Sequence, residues 1–190
     1  AAAGASRWDW AGTENTDKPG DPEIVLACAG DVPTEETLAA ADLLRNWTPE
    51  LKVRVVNVID LMALLPVADH PHGFSEDQFA DLFTESVDIV FAFHGYPRAV
   101  HQLLHGRPNA QRFHVRGFIE QGTTTTPFDM VVLNKISRYH LAIEALDRAH
   151  TAPAGAEELR QHCRDQLTRH DAYIRKHFED LPEIREWRWS

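Results

Sequence analysis

The stretch EIVLACAGDVPTEETLAAADLLRNW, residues 23–47, decides the fold class. Its first part, EIVLACAG, is a continuous apolar run bounded by turn residues, which is typical of a β-strand covered on both faces. Its second part places Glu35 and Glu36 after a candidate N-cap, Thr34, and then repeats apolar residues at helical spacing. A buried strand followed by an amphipathic helix indicates an α/β protein.

The same alternation continues along the chain. Helices are predicted at SEDQFADLF, where Ser75 and Gln78 fit a capping box, after Pro97, and over several amphipathic stretches after Pro127. We therefore expect a three-layer α/β/α fold with a mostly parallel sheet. The further predicted strands are LKVRVVNVID (51–60), VDIVFAFHG (87–95) and RFHVRGF (112–118).

The domain organisation is expected to be simple. Residues 1–22 are rich in Gly, Ala, Asp and Thr, and we expect a lead-in segment with at most a short edge strand. Residues 23–190 are long enough for one buried core and are predicted to form a single α/β domain.

Composition excludes several classes of partner. Nineteen basic residues against 29 acidic ones give a formal net charge of −10, which would repel a nucleic-acid backbone. No apolar run reaches the ~20 residues of a membrane-spanning helix, so we expect neither membrane insertion nor export. Cys28 and Cys163 lie far apart without a C-x-x-C motif, which fits a reducing cytoplasm.

The stretch GTTTTPFDM, residues 122–130, contains the candidate binding residues. Pro127 suits the first position of a helix, so Thr125 or Thr126 is a natural N-cap, and free N–H groups nearby could hold an anion. Ligands of open α/β sheets gather at the carboxyl ends of the strands. Two interpretations stay open, helix capping and an anion site. The candidate anion site consists of Thr123, Thr124, Thr125, Thr126, Arg116 and His94.

The residues themselves predict no catalytic or metal site. His101 and His105 have the i, i+4 spacing of a metal pair, but the glutamate of H-E-x-x-H is missing, which favours a surface pair. His70 and His72 lie in a proline-bearing loop, where packing is favoured over metal binding. Cys28, inside an apolar strand, is predicted to be an inert buried thiol. The G-x-S-x-G, G-x-G-x-x-G and Walker motifs are absent.

Several stretches resemble the C-terminal domain of the xylulose 5-phosphate/fructose 6-phosphate phosphoketolases. The similarity runs from about Trp8 to the final residue. The chain departs from the family at Arg98, where many relatives have an aromatic residue after the proline. The stretches that carry the resemblance are DVPTEETLAAADLLR, LKVRVVNVIDLM, HPHGFS, FAFHGYP, HVRGF, GTTTTPFDMVVLN and the tail PEIREWRW.

The resemblance implies an enzyme that depends on thiamine diphosphate and Mg²⁺. Such enzymes cleave xylulose 5-phosphate or fructose 6-phosphate with inorganic phosphate, giving acetyl phosphate and a shorter aldose phosphate. The implied fold is that of the transketolase C-terminal domain, a five-stranded sheet with a short antiparallel edge strand near Trp8 to Trp10.

The resemblance also implies that the catalytic groups lie elsewhere in a homodimeric enzyme. The family's G-D-G to Asn cofactor motif does not occur in this chain. We therefore expect no catalytic residue and no bound cofactor here, and a role in subunit packing beside the upstream cofactor-binding domains. The alternative is a regulatory module that binds a phosphate-bearing effector at the carboxyl ends of the strands.

Overall fold

The computed structural model describes residues 4–14, 21–119 and 124–189, and its centre is a five-stranded sheet. The strand order is β1-β3-β2-β4-β5; β1 is antiparallel to β3, and all other neighbours are parallel. The predicted fold class is confirmed. The strands are β1 (Ala5–Arg7), β2 (Ile24–Ala29), β3 (Val53–Val58), β4 (Ile89–Phe93) and β5 (Phe113–Gly117).

The antiparallel edge strand exists, but it lies before the position predicted for it. Ala5 is paired with Val58, and β1 ends before the predicted stretch from Trp8 to Trp10. The chain turns there, because the N–H of Ala11 donates to the Trp8 carbonyl at 3.0 Å. The first residue of the predicted stretch is hydrogen-bonded to the sheet, because the Trp8 N–H donates to the Val55 carbonyl of β3.

The helices cover both faces of the sheet. Two short 3-10 turns, Leu61–Leu64 and Ala110–Arg112, follow β3 and precede β5. Among the described residues, no helix has the length and apolar character needed to cross a membrane. The helices are α1 (Asp31–Trp47), α2 (Glu76–Phe83), α3 (Pro97–Leu103), α4 (Pro127–Leu133), α5 (Arg138–Arg148), α6 (Ala156–His177) and α7 (Pro182–Arg185).

Alternating side chains of the central strand divide the core into two halves. Ile24 and Leu26 point into the larger half, which they share with α1, α4, α5 and α6. Val25 and Ala27 point to the other face, where they pack with residues of α2 and α3. All six residues of β2 are buried, as expected for a strand covered on both faces.

The first helix starts earlier than predicted. Thr34 is not its N-cap: α1 begins at Asp31 after Gly30, and the Thr34 hydroxyl donates to the Gly30 carbonyl at 2.6 Å from inside the first turn. Gly30 makes the early start feasible because it has a φ of 103°, a conformation that other residues rarely adopt. The predicted capping box of Ser75 and Gln78 is confirmed at α2.

Aromatic residues from both ends of the described chain meet on the surface of α1. The rings of Trp8 and Trp10 stack with centroids 5.1 Å apart, and Trp189 contacts Trp10 edge-on at 5.2 Å. The guanidinium of Arg45 lies 4.5 Å above the Trp189 ring. These ring–ring and cation–π contacts hold the segment around Trp189 against α1.

We expect Gly30→Ala to destabilise the fold. A Cβ at this position would lie 2.4 Å from the Cβ of His94, and alanine would also have to adopt the positive φ. These two costs should lower the free energy of unfolding by about 2 kcal/mol or more, measured by urea denaturation. Gly106→Ala is the matched control, since its nearest neighbour is a flexible ring atom of Pro66 at 3.3 Å. Equal losses of unfolding free energy in the two variants would contradict the role assigned to Gly30 at the start of α1.

Candidate functional site

The described threonines form a joint at the start of α4. Thr126 is the N-cap, and its hydroxyl accepts a hydrogen bond from the Asp129 N–H at 3.3 Å, with Pro127 in the first turn. Thr125 donates its hydroxyl to Oδ2 of Asp129 at 2.5 Å. The capping interpretation is thereby confirmed at Thr126. Thr123, the first residue of the candidate anion site, lies outside the described residues.

The backbone donors at this helix start are already used. Pro127 has no N–H, and the N–H of Phe128 donates to Oδ2 of Asp180 at 3.0 Å. The N–H of Met130 donates to the Thr126 carbonyl at 3.0 Å. With Asp129 bonded to the Thr126 hydroxyl, the first turn of α4 has no free N–H left to offer an anion.

A cleft of about 940 Å³ opens beside this joint, between α1, α4 and the end of α6. We call it the joint cleft. Its wall is largely apolar, and the side chain of Phe178 there is 82% exposed. The residues that define it are Val32, Glu35, Glu36, Thr124, Thr125, Thr126, Pro127, Phe128, Val131, Arg138, Ile174, Arg175, Phe178, Glu179, Asp180, Ile184 and Arg185.

One wall of the joint cleft is a buried ion pair. The guanidinium of Arg138 donates to both carboxylate oxygens of Glu36, at 2.6 and 3.1 Å, and the Arg138 N–H donates to the same carboxylate at 2.6 Å. The two side chains are 4% and 5% exposed. The guanidinium also stacks on the rings of Phe128 and Trp187, at 5.6 and 5.1 Å. Its charge is therefore matched by Glu36 and is not offered to a ligand.

The other arginines of the joint cleft also have carboxylate partners. Arg175 lies 2.9 Å from Asp171, and Arg185 lies 3.6 Å from Glu179. Arg175 keeps the pKa of the Asp171 carboxyl below its usual value through a side-chain hydrogen bond. The cleft therefore contains paired charges and apolar surface, an arrangement that does not favour an anion.

A second cleft, of about 610 Å³, lies at the carboxyl ends of β2, β3 and β4. We call it the edge cleft. It is lined by Gly30, Asp31 and His94, together with Thr34 and Asn57. Nδ1 of His94 is 2.6 Å from Oδ1 of Asp31. The pKa of Asp31 is lowered, chiefly by the backbone N–H of Val32 and then by His94.

Arg116 lies in neither cleft. Its guanidinium donates to both carboxylate oxygens of Glu144 on α5, at 2.7 and 2.8 Å. Arg148 contacts the same carboxylate at 2.9 Å and lies 3.0 Å from Nε2 of His114. Arg116 therefore belongs to a polar network between β5 and α5.

The structure thus separates the residues of the candidate anion site. Thr124, Thr125 and Thr126 line the joint cleft, and His94 lines the edge cleft. Arg116 lines neither cleft and is paired with Glu144 on α5. No single cavity brings the described members together, and anion binding by these residues stays a prediction.

The remaining candidates are inert or peripheral. Cys28 is buried, and desolvation raises the pKa of its thiol, as expected for an inert cysteine. His72 lies 2.7 Å from Asp60, while His101 and His105 are exposed on α3 and the loop that follows it. Over residues 4–14, 21–119 and 124–189, no group of three His, Cys, Asp or Glu side chains could hold a metal.

Two buried polar residues of this region were not anticipated from the sequence. His170, 1% exposed on α6, packs edge-on against the Phe128 ring at 5.0 Å and lies 3.4 Å from Asp129. Asp180, 6% exposed, accepts a hydrogen bond from the Phe128 N–H at the start of α4, 52 positions away in the sequence. Local spacing contains no signal for either contact, because both partners are distant in the chain.

We expect Thr126→Ala to destabilise the chain by about 1 kcal/mol, since the cap of α4 is lost. The melting temperature should fall equally with and without inorganic phosphate, because the donors of the helix start are already engaged. Thr126→Ser retains a hydroxyl and is the matched control. If phosphate raises the melting temperature of the unaltered chain saturably, and Thr126→Ala abolishes that response, the joint binds anions.

Comparison with known proteins places the chain in a family. The family model described as the XFP C-terminal domain matches residues 1–189. A probable phosphoketolase of Bradyrhizobium diazoefficiens is 56% identical over 186 residues, which are 98% of this chain and 23% of the relative. A probable phosphoketolase of Brucella abortus is 54% identical over 188 residues, 99% of this chain and 23% of the relative.

Solved structures agree with the fold. A transketolase from Pichia stipitis has a TM-score of 0.53 at 15% identity, covering 78% of this chain and 18% of its own. Transketolase from Leishmania mexicana has a TM-score of 0.52 at 15% identity, covering 81% and 19%. The chain spans about a quarter of the length of the curated relatives that it matches. Because the family match covers nearly every residue, the chain belongs to the XFP C-terminal domain family, the C-terminal domain of the phosphoketolases.

Proposed function

We propose that the chain is the non-catalytic C-terminal domain of a phosphoketolase that depends on thiamine diphosphate. The whole enzyme would cleave xylulose 5-phosphate or fructose 6-phosphate with phosphate to acetyl phosphate and an aldose phosphate, as a carbon–carbon lyase. The observation that supports this most is the family match over residues 1–189, in a chain that spans 23% of its relatives. Residues 1–22 would lead into a domain of residues 23–190.

The described side chains support a domain without catalysis. Both cysteines are buried, and desolvation raises the pKa of Cys163 to about 12, so neither thiol is a ready nucleophile. Nδ1 of His94 is engaged by Asp31, so that nitrogen does not activate a hydroxyl nucleophile among the described residues. The domain would therefore contribute structure to the enzyme and leave the chemistry to other domains.

The described residues do not fit the cofactor. The diphosphate of thiamine diphosphate is bound through Mg²⁺, which needs a set of oxygen ligands. Among the described residues, neither cleft gathers three His, Cys, Asp or Glu side chains that could hold a metal ion, and the arginines of the joint cleft are matched by carboxylates. We therefore place thiamine diphosphate and Mg²⁺ in the upstream cofactor-binding domains.

Subunit packing is the role that we propose for the domain itself. It would pack against the upstream domains within a homodimeric enzyme, and its exposed apolar side chains suit such contacts. The two free cysteines fit an enzyme of the reducing cytoplasm. A regulatory module for a phosphate-bearing effector is the less favoured function, because the described candidate cations are already paired.

We expect the full-length enzyme to form acetyl phosphate from xylulose 5-phosphate, phosphate, thiamine diphosphate and Mg²⁺. Residues 1–190 alone should form none above background, because the carbanion chemistry of the cofactor needs residues that this domain lacks. The measurement is acetyl phosphate released per enzyme by each protein, with the cofactor omitted as the control. Turnover by the 190-residue chain, or its absence from the full-length enzyme, would contradict the proposal.

A further inference from the structure

Exposed apolar side chains follow three strands of the sheet at the same edge. Ile59 comes directly after β3 and is 67% exposed, Tyr96 follows β4 and is 57% exposed, and Ile119 follows β5 and is 54% exposed. Because these strands are parallel, their carboxyl ends meet at one edge of the sheet. We call Ile59, Tyr96 and Ile119 the carboxyl-edge surface. Exposed large apolar residues along one edge of a sheet suit a contact with another protein surface.

The edge cleft opens at the same edge of the sheet, beside one residue of this surface. Ile59 lines it, together with Phe93 and His94. Nδ1 of His94 is engaged by Asp31 at 2.6 Å, which leaves Nε2 for a hydrogen bond to an incoming group. The cleft therefore combines an apolar wall with one oriented imidazole.

The acidic residues of this edge do not oppose a docked surface. Asp31 is paired with His94, and Asp60 is paired with His72 at 2.7 Å. The pKa of Asp60 is lowered, chiefly by the Met62 N–H and then by His72. Protein interfaces are poor in unpaired charge at their centres, and both carboxylates here already have partners.

The described chain begins at this same edge. Since β1 is antiparallel to β3, its first residue lies beside the carboxyl end of β3. The carbonyl of Gly4 accepts hydrogen bonds from the N–H groups of Ile59 and Asp60, both at 2.9 Å. Relatives are about four times as long as the matched region, since the chain spans 23% of them, and the family model describes a C-terminal domain. Gly4, the first described residue, therefore lies next to Ile59.

We propose that the carboxyl-edge surface docks onto the domain that precedes it in the same polypeptide. The partner surface would be apolar, with a protruding group in the edge cleft that exchanges a hydrogen bond with Nε2 of His94. This inference rests on the proposed function only in that both require upstream domains. It identifies which face of the C-terminal domain packs against them.

Thiol reactivity in the full-length enzyme tests the proposal. Ile59→Cys and Ile119→Cys place thiols on the carboxyl-edge surface. Val67→Cys is the control, because Val67 is 58% exposed and so is similarly accessible. Val67 follows Pro66, which lies next to Gly106 in the loop after α3. Maleimide labelling is followed peptide by peptide by mass spectrometry. We expect labelling at residues 59 and 119 to be at least about tenfold slower than at residue 67, because a thiol covered by the docked domain does not reach the reagent. Cys28 and Cys163 are buried and provide the unreactive baseline.

A photo-activated cross-linker on the Ile119→Cys thiol identifies the occupant. Cross-links to peptides upstream of this domain in the same polypeptide support the proposal. Cross-links to residues 1–190 of a second copy would contradict it, as would equal labelling at the three positions. Acetyl phosphate formation by the unaltered enzyme is measured in parallel. Its absence would refute the proposed function, while the labelling pattern would still decide the docking surface.

Discussion

The larger half of the fold depends on the buried ion pair between Glu36 and Arg138. It joins the second turn of α1 to the first residue of α5, and its guanidinium stacks on Phe128 at the start of α4 and on Trp187 near the end of the chain. A buried charge without a partner is costly, so the two residues hold their elements in one arrangement. Four segments that are distant in the sequence are thereby fixed around the joint cleft.

The same kind of pairing engages the cationic side chains near the predicted anion site. Arg138 is neutralised by Glu36, Arg116 by Glu144, and His94 is held by Asp31. The threonine joint is likewise satisfied by Asp129 within its own helix and by Asp180 from outside it. The domain uses these polar side chains to position its own elements.

Features set by local patterns could be predicted from the sequence. The apolar run from Ile24 to Ala29 marked a buried strand, and Ser75 with Gln78 marked a capping box, because both signals depend only on neighbouring residues. The sequence predicts too late a start for α1, because Thr34 has the chemistry of an N-cap. The backbone of Gly30 decides that start, and its conformation shows only in the structure.

The candidate site could be predicted only in part. The capping role of Thr126 follows from its position before Pro127, and the structure confirms it. The ion pair joins residues 102 positions apart, and Asp180 reaches Phe128 across 52 positions. No periodicity reports such pairs, since many carboxylates and arginines of the chain could serve equally well. The division of the candidates between two clefts is a consequence of the same distant contacts.

The most direct test of this account is a double-mutant cycle on the buried pair. Glu36→Gln and Arg138→Met should each lower the free energy of unfolding by about 3–5 kcal/mol, and the double variant should lose far less than the sum, because it leaves no charge unpaired. Arg175→Met and Asp171→Asn, at an exposed ion pair, are the matched controls. Each should change the free energy of unfolding by less than about 1 kcal/mol. Small and additive losses at Glu36 and Arg138 would contradict the claim that this pair holds the domain together.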